Sequence, residues 1–320
     1  MSKKTKIFLV GCLLMVMCSM GITVRASEDA KAEVVAHNLT ITNEGINVNF
    51  YVDIKGNVQI TLNGTEVAKP EKTEKIVIDA KAYDCYKFTQ PVVAKEMDKD
   101  VSLVIKSGDE PIVEDSYCVN DYAKSVIGDQ YNYNYEELVK AMSYYGDFAE
   151  VYLNYDAEQA DEAEAFLQQF DENAKNELTS DAYRIVKGEN LDELGIEATG
   201  IQLNLVSEVS IRLNFNVTYD KALDYEFTAD GKNLGKLKKG NYNGNEYYYV
   251  DIENIGADAL DKAYEIQVDD TTVLSNCSAL SYARAVVQGF VDEEGNITEG
   301  KADLVNLAKA LYLYNQKAKT

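Results

Sequence analysis

The chain has 320 residues, 46% hydrophobic content and a formal charge of −23 at pH 7, with 54 acidic against 31 basic residues. This length allows one large domain or two ordinary ones, and the hydrophobic content is normal for a protein that buries a core. So acidic a surface repels phosphate backbones and anionic lipids, so we expect neither nucleic acid nor a membrane surface as a partner.

The first 26 residues predict a secretory signal peptide. Three lysines within residues 3–6 precede an apolar run over residues 7–24, and Ala26 provides a small residue for cleavage. A membrane anchor is the alternative, but the run is short and is interrupted by two glycines and a serine. We predict cleavage after Ala26, and a mature protein that is secreted or held at the outer cell surface without a membrane segment.

Residues 34–113 predict a series of short strands. Ile46, Val48, Phe50 and Val52 alternate along one of them, and the pair Asn63-Gly64 is typical of a tight hairpin turn. About six such strands with turn signals between them favour an antiparallel sandwich of the immunoglobulin type.

Residues 117–155 predict a helix, a tyrosine-rich loop and a longer helix. The longer helix carries an apolar stripe at helical spacing, made of Leu138, Ala141, Met142, Tyr145, Ala149 and Tyr152. We expect Tyr122, Val126 and Ile127 on the shorter helix to cover part of this stripe, so that the two helices form a hairpin packed on the sandwich. The first module then spans residues 27–155.

Residues 156–197 differ in composition, being acidic, rich in alanine and poor in β-branched residues. They predict an acidic linker of one or two helices between modules, with an interruption at residues 178–180.

Residues 198–320 repeat the first module in degenerate form. Ile211, Leu213 and Phe215 take the places of Ile46, Val48 and Phe50, and Asp230-Gly231 marks a turn. The helix pair returns at residues 278–317, where Tyr282, Ala283 and Val286 stand for Tyr122, Ala123 and Val126, and Leu307, Ala310 and Tyr314 for Leu138, Ala141 and Tyr145. The predicted fold is therefore α+β: two tandem antiparallel, Ig-like β-sandwich modules, each followed by a helical hairpin.

Three segments carry a resemblance to a known family: YCVNDYA followed by LVKAMSYYGDFAEVYLNY, then GIQLNLVSEVSIRLNF, then YYYVDIENIGADALDKAYEIQV. They resemble a duplicated domain of unknown function found in secreted and surface proteins of anaerobic Firmicutes, particularly Lachnospiraceae-type clostridia. The resemblance covers nearly the whole mature chain. It departs near the C-terminus, where LYLYNQKA lacks the Tyr-Gly pair of Tyr145-Gly146. It implies a noncatalytic exported module, sometimes appended to carbohydrate-active or adhesive proteins, and it transfers no functional residue.

The residues that usually carry chemistry are few. A single histidine, His37, is too few for a His-rich zinc site, and we expect no His-based triad. We expect His37 to face solvent at the start of a strand. No phosphate-binding loop, dinucleotide fingerprint or nucleophile elbow occurs in a suitable setting. We therefore predict no catalytic residue, no metal ligand and no cofactor. A carbohydrate-active enzyme that uses paired carboxylates is the alternative, since 54 acidic residues leave many pairs to choose from.

Signal removal leaves three cysteines, Cys85, Cys118 and Cys277, an odd number that cannot all pair within the chain. Any one of three single pairings is open. Cys118 lies at the start of a predicted helix, where the helix dipole would lower a thiol pKa. Its counterpart in the second copy is Ser278, so we interpret Cys118 as a small side chain in a capping position.

Twenty-three tyrosines and no tryptophan are the most unusual feature of the composition. The candidate ligand-binding residues are Tyr131, Tyr133 and Tyr135 in YNYNY, and Tyr242 and Tyr247 in NYNGNEYYY. A tyrosine offers an apolar ring and a hydroxyl, which suits sugar rings and protein surfaces; packing within strands is the competing interpretation. The expected partners are a cell-wall or host glycan, or another surface protein, bound or scaffolded without catalysis.

Overall fold

The computed structural model describes residues 30–42, 45–127, 133–153, 161–189, 191–205, 209–242, 244–291, 297–298 and 300–319. The predicted signal peptide lies outside the described residues. Contacts divide the chain into two compact units, which we call the N-terminal and C-terminal units. The main division falls between Val139 and Lys140, inside a helix, and the short segments Asn43–Gly45 and Val93–Lys95 are also assigned to the C-terminal unit. The sequence places the end of the first module at Tyr155. The module limits that the sequence indicates, residues 27–155 and 198–320, therefore remain a prediction.

The N-terminal unit is built from two four-stranded sheets. Its strands are β1 (Lys31–Thr42), β2 (Gly45–Lys55), β3 (Gln59–Leu62), β4 (Thr65–Glu66), β5 (Glu74–Ile78), β6 (Lys81–Val92), β7 (Val101–Ser107) and β8 (Glu110–Tyr117). One sheet has the order β1-β2-β6-β5 and the other the order β4-β3-β7-β8. The described strand pairs are antiparallel.

The alternation in the sequence fixes which face of each sheet is buried. Val48, Phe50 and Val52 on β2 are fully buried, and Leu103 and Ile105 on β7 close the core from the other sheet. The core is thus a sandwich interior, as the period-two pattern predicts.

The tight turns follow from residues that tolerate a left-handed backbone. Asn63 and Gly64 join β3 to β4 with φ of 47° and 78°, as the sequence predicts. The turn from β5 to β6 is an exception: Asp79 and Ala80 have φ of 49° and 63°, and the Cβ atom of Ala80 makes this conformation unfavourable.

Two helices follow the first strands, α1 (Val119–Val126) and α2 (Tyr133–Tyr152). Residues 140–152 of α2 belong to the C-terminal unit. There the Tyr145 ring stacks on Tyr314, with ring centres 5.5 Å apart and planes 18° from parallel. Two positions that the sequence matches as repeats therefore contact each other directly, and this stack covers part of the α2 stripe.

The C-terminal unit is also built around two antiparallel sheets. Its strands are β9 (Val186–Lys187), β10 (Ile196–Asn204), β11 (Ser210–Val217), β12 (Phe227–Ala229), β13 (Lys232–Gly235), β14 (Lys238–Tyr242), β15 (Asn245–Ile252), β16 (Tyr264–Val268) and β17 (Thr271–Cys277), with β18 (Phe290–Val291) and β19 (Ile297–Thr298) forming a separate ribbon. The sheet orders are β10-β11-β15-β14 and β13-β12-β16-β17-β9. Phe215 and Phe227 meet between the sheets with ring centres 5.2 Å apart.

Five further helices lie in the described part of the C-terminal unit. They are α3 (Asp161–Leu167), α4 (Glu172–Leu178), α5 (Leu191–Leu194), α6 (Ala279–Gln288) and α7 (Ala302–Ala318). Helices α6 and α7 pack against each other. The Ser278 hydroxyl accepts the Ser281 N–H at 3.0 Å and caps α6, as predicted. Among the described helices, none combines the length and the apolar composition needed to cross a bilayer.

The acidic segment is docked on this unit. It forms two helices, α3 and α4, which residues 168–171 separate, and α4 ends at the interruption expected at residues 178–180. Beyond that interruption the chain forms a one-turn 3-10 helix and the strand β9, where a further helical segment was expected. Phe166 and Leu178 are buried. The Arg284 Nε donates to the Ser180 carbonyl at 3.0 Å, and the Asn276 amide donates to the Ala182 carbonyl at 2.7 Å. Residues 161–187 thus form part of a packed unit, which a free linker would not.

The two units share one order of strands. In each unit the first, second, sixth and fifth strands of the block make one sheet, and the fourth, third, seventh and eighth make the other. In the C-terminal unit the block starts at β10, with β14 as its fifth strand, and β9 adds an extra edge. A one-turn 3-10 helix, Ala94–Glu96 or Ala257–Ala259, precedes the seventh strand of each block.

Candidate functional site

The sheet β10-β11-β15-β14 presents a polar and aromatic outer face. Directly paired residues of an antiparallel sheet point to the same side, and side chains alternate along each strand. Arg212 pairs with Asp251, Asn214 with Tyr249 and Lys238 with Tyr249, while Gly240 pairs with Tyr247. The inward residues Ile211, Leu213 and Phe215 form the core. We call the outward set the tyrosine face: Arg212, Asn214, Lys238, Gly240, Tyr242, Tyr247, Tyr249 and Asp251.

An arginine–aspartate pair anchors the face. The Arg212 Nε donates to Asp251 Oδ1 at 2.8 Å and Nη2 donates to Asp251 Oδ2 at 3.2 Å. The Arg212 guanidinium carbon also lies 3.8 Å from the centre of the Tyr249 ring, a cation–π contact. These hydrogen bonds to Asp251 raise the pKa of Arg212 above its ordinary value. The Arg212 guanidinium is thus held by the Asp251 carboxylate and lies against the Tyr249 ring.

Tyr247 lies across the neighbouring strand because a glycine leaves room for it. A Cβ atom added at Gly240 would lie 2.4 Å from Tyr247 Cζ and 2.7 Å from its hydroxyl oxygen. The Tyr247 and Tyr249 ring centres are 5.7 Å apart, with planes at 34°. The ring therefore covers the glycine, an arrangement that holds aromatic side chains against a sheet.

The charges of the face cancel. Lys238 Nζ lies 3.5 Å from Asp251 Oδ2 and 3.6 Å from Glu253 Oε1. The Asn214 Oδ1 is buried and has no hydrogen-bond partner among the described residues. The face thus offers rings and polar groups with little net charge, on a chain of −23.

The predicted binding tyrosines fall in different places. Tyr242 and Tyr247 both lie on the tyrosine face, and Tyr242 is 72% exposed. Tyr135 is half-buried in the first turn of α2, in the N-terminal unit. Tyr131 lies outside the described residues, as does the side chain of Tyr133. The structure therefore brings together one of the two predicted clusters and enlarges it.

Sequence reasoning missed the remaining members of the face. Tyr249 and Asp251 follow Tyr247 at intervals of two residues, and this spacing predicts that the three side chains lie on the same side of β15. Arg212 lies between the buried Ile211 and Leu213, so alternation along β11 also predicts that its side chain points outward. Arg212 pairs with Asp251 through the register of two strands, and the two residues are 39 positions apart in sequence. Composition does not predict that register.

Described cysteines are buried and free, so none of the three possible disulfides forms. The Cys118 sulfur accepts the Asp121 N–H at 3.3 Å and caps α1, as predicted. Burial raises the pKa of the Cys118 thiol to about 11, contrary to the lowering expected from the helix dipole. Desolvation of the thiolate outweighs the dipole because the residue is only 5% exposed.

The expected surface position of His37 is wrong. Its side chain is 10% exposed, and Nε2 lies 2.9 Å from Asp115 Oδ2. The ring stacks on Tyr117 with centres 4.7 Å apart and meets Phe50 edge-on at 5.2 Å. Residues of β2 and β8 bury the His37 ring, and those of β8 are distant from it in sequence. The histidine therefore stabilises the packing of the N-terminal unit.

Two other groupings of polar residues lie apart from the tyrosine face. Asp100, Cys118 and Asp121 place one ligand atom each within 4.8 Å of one another, but the thiol is held protonated by burial. A solvent-open depression of about 460 Å³ is lined by Lys187, Gly188, Leu191, Asp192, Glu193, Ile196 and Glu197. Its lining has no aromatic ring, and its ionic groups are mostly carboxylates. The tyrosine face gathers the more varied set of recognition groups.

Comparison with known proteins gives little further constraint. No family model matches the chain, and no curated protein matches it. Among solved structures, the chain is similar to a chimeric titin Z1Z2-Z1Z2 tandem functionalised with a GRGDS exogenous peptide from fibronectin. That likeness has 9% identity and a TM-score of 0.15, over 72% of this chain and 89% of that chain. A score this low supports no conclusion about function, so the site is judged on its own geometry.

Proposed function

We propose that the protein is an exported, noncatalytic binding protein of the bacterial cell surface or the medium, and that the tyrosine face is its binding surface. The observation that carries this proposal is the alignment of Tyr242, Tyr247 and Tyr249 on the outer side of one sheet, beside the Arg212–Asp251 pair. The inner side of the same sheet already supplies the core. The outward rings therefore have no packing role inside the sandwich.

Preorganisation supports a binding role for these rings. A binding surface loses less free energy on ordering when its side chains are already fixed. Tyr249 is held by Arg212, whose guanidinium is itself held by two hydrogen bonds to Asp251. Tyr247 is held over Gly240. Two of the three rings thus have their orientation set before any ligand arrives.

Export is supported by the N-terminal sequence, with its basic head, apolar run and Ala26. When the full chain is expressed in a Gram-positive host, the protein recovered from the medium or the cell wall should begin at Ser27. Recovery of the full-length chain from the cytoplasm would contradict the assignment.

We further propose that the two units are Ig-like modules that arose by duplication of one ancestral unit, each followed by a helix pair. The shared strand order supports this, and so do the equivalent caps Cys118 and Ser278 at the first helix of each pair. Under this proposal Tyr145 and Tyr314 are one ancestral position that now stacks on itself.

Binding is tested with the full chain on insoluble cell-wall polysaccharide and on cell-wall protein extracts. We expect retention that Tyr242→Ala weakens and that the matched exposed-tyrosine variant Tyr219→Ala does not. Tyr219 is 62% exposed and lies outside the four strands of the sheet. Release of reducing sugar by the wild-type chain, abolished by a single carboxylate substitution, would instead establish the carbohydrate-active enzyme that the sequence leaves as the alternative.

A further inference from the structure

We infer that the ligand of the tyrosine face is an uncharged polysaccharide chain. This inference rests on the proposed function and names the chemical class that the face would recognise. Three features of the face lead to it: its paired cations, its flat rings and its lack of aliphatic side chains.

A polyanion finds no unpaired cation on strands β11, β14 and β15. The cations of β11, β14 and β15, which the structure describes throughout, are Arg212, Lys238 and Lys239. Each has a carboxylate within 3.6 Å. A polyanion would have to break these pairs and approach a chain of −23. An uncharged chain meets neither cost.

The rings suit sugars. Tyr247 and Tyr249 lie two residues apart on one strand with ring centres 5.7 Å apart, so successive sugar units can each lie against one ring. Tyr242, on the neighbouring strand and 72% exposed, extends the row toward the sheet edge. Each hydroxyl of a tyrosine donates and accepts, as does each hydroxyl of a sugar, so the polar edges are complementary.

A protein partner fits less well. Protein interfaces bury about 800 Å² on each side around an apolar, aromatic centre. The outward positions of the face are tyrosine, asparagine, glycine and charged residues, and no aliphatic side chain stands among them in the described strands β11, β14 and β15. Such a surface supplies rings without the aliphatic packing that excludes water from a protein–protein interface.

Glycine at position 240 provides a test that removes no tyrosine. Gly240→Ala adds one methyl group where the Tyr247 ring now lies, and this displaces the ring while every hydroxyl and charge is retained. Weaker binding in this variant would therefore report the position of the ring and not its chemical identity.

The experiment measures binding of the full chain to two sets of soluble polymers, uncharged glycans (glucan, mannan, galactan) and a polyuronate, by calorimetry at low and high salt. We expect binding to at least one uncharged glycan that added salt does not weaken. Tyr247→Ala and Gly240→Ala should each lower the affinity roughly tenfold or more, and Tyr219→Ala should leave it unchanged. Urea unfolding of each variant checks that the fold is kept; Tyr242→Ala, at an exposed position, serves if Tyr247→Ala fails to fold.

The outcomes separate the two proposals. Salt-sensitive binding to the polyuronate alone, weakened by the face variants, overturns the uncharged ligand and leaves the proposed function standing. Capture of a purified cell-wall protein alone, weakened by the same variants, does likewise. Glycan binding that no face variant weakens overturns the site, and failure to bind any polymer or protein overturns both proposals.

Discussion

Replacement of Arg212 by methionine tests how the tyrosine face is held together. The variant leaves Asp251, which is 8% exposed, with Lys238 as its remaining cation at 3.5 Å. Breaking a fully buried ion pair costs about 3–5 kcal/mol. Because Arg212 is 22% exposed and Lys238 persists, we expect a loss of about 2–3 kcal/mol in the free energy of unfolding. Part of this is the lost stacking on Tyr249, about 1 kcal/mol.

Urea unfolding followed by tyrosine fluorescence measures this loss, since the chain has no tryptophan. Arg184→Met is the matched control, because Arg184 is 66% exposed and its partner Asp181 is 86% exposed at 3.9 Å. We expect the control to change stability by less than about 0.5 kcal/mol.

A double-mutant cycle isolates the pair. Arg212→Met combined with Asp251→Asn removes both charges, so the combined loss should be smaller than the sum of the single losses by about 2 kcal/mol. A coupling near zero, or an Arg212→Met variant as stable as Arg184→Met, would refute the claim that this pair anchors the face.

Three further predictions concern stability. Tyr145→Phe should raise the free energy of unfolding by about 1 kcal/mol, because the buried Tyr145 hydroxyl has no partner among the described residues; equal destabilisation by Tyr145→Phe and Tyr145→Leu would argue for an unseen hydrogen bond. Ala80→Gly should stabilise by about 1 kcal/mol by relieving φ of 63° in the turn, whereas Ala82→Gly in the adjacent strand should destabilise, and both are read from urea midpoints. Burial raises the pKa of Cys85 to about 11 and of Cys277 to about 12, against an ordinary value of 9.0. Native thiols thus stay protonated while unfolded ones ionise, so their contribution to the free energy of unfolding is complete below pH 9. It falls by about 1.4 kcal/mol per pH unit per thiol above pH 9, and the fall ends near pH 11 for Cys85 and near pH 12 for Cys277. A Cys277→Ala variant with the same alkaline slope as wild type would contradict this assignment.

The buried thiols also bear on the proposed export. Exported proteins commonly use paired cysteines, whereas the three described cysteines of this chain are buried and free. Because the thiolate is the reactive form, a raised pKa and a buried sulfur both slow oxidation. Free cysteines are therefore compatible with an extracellular location here.

Local sequence determined the strand alternation, the tight turns and the helix starts named below. Alternation placed Val48 and Phe50 on the inner side of β2, and Asn63-Gly64 and Asp230-Gly231 both form turns with positive φ. The helix capped by Ser278 begins where the sequence indicates. These features depend on residues within a few positions of each other, so pattern and propensity suffice to predict them.

The tertiary structure alone decided which elements meet. The sequence predicts the apolar stripe of α2, but the stack of Tyr145 on Tyr314 joins residues 169 positions apart, and helical periodicity contains no information about the identity of the partner. The burial of His37 and the docking of the acidic helices have the same origin. So does the tyrosine face, where strand register places Arg212 beside Asp251 and its guanidinium lies against the Tyr249 ring. Burial, charge pairing and pKa are properties of those non-local neighbours, which is why they follow from the packed structure and not from the pattern of residues along the chain.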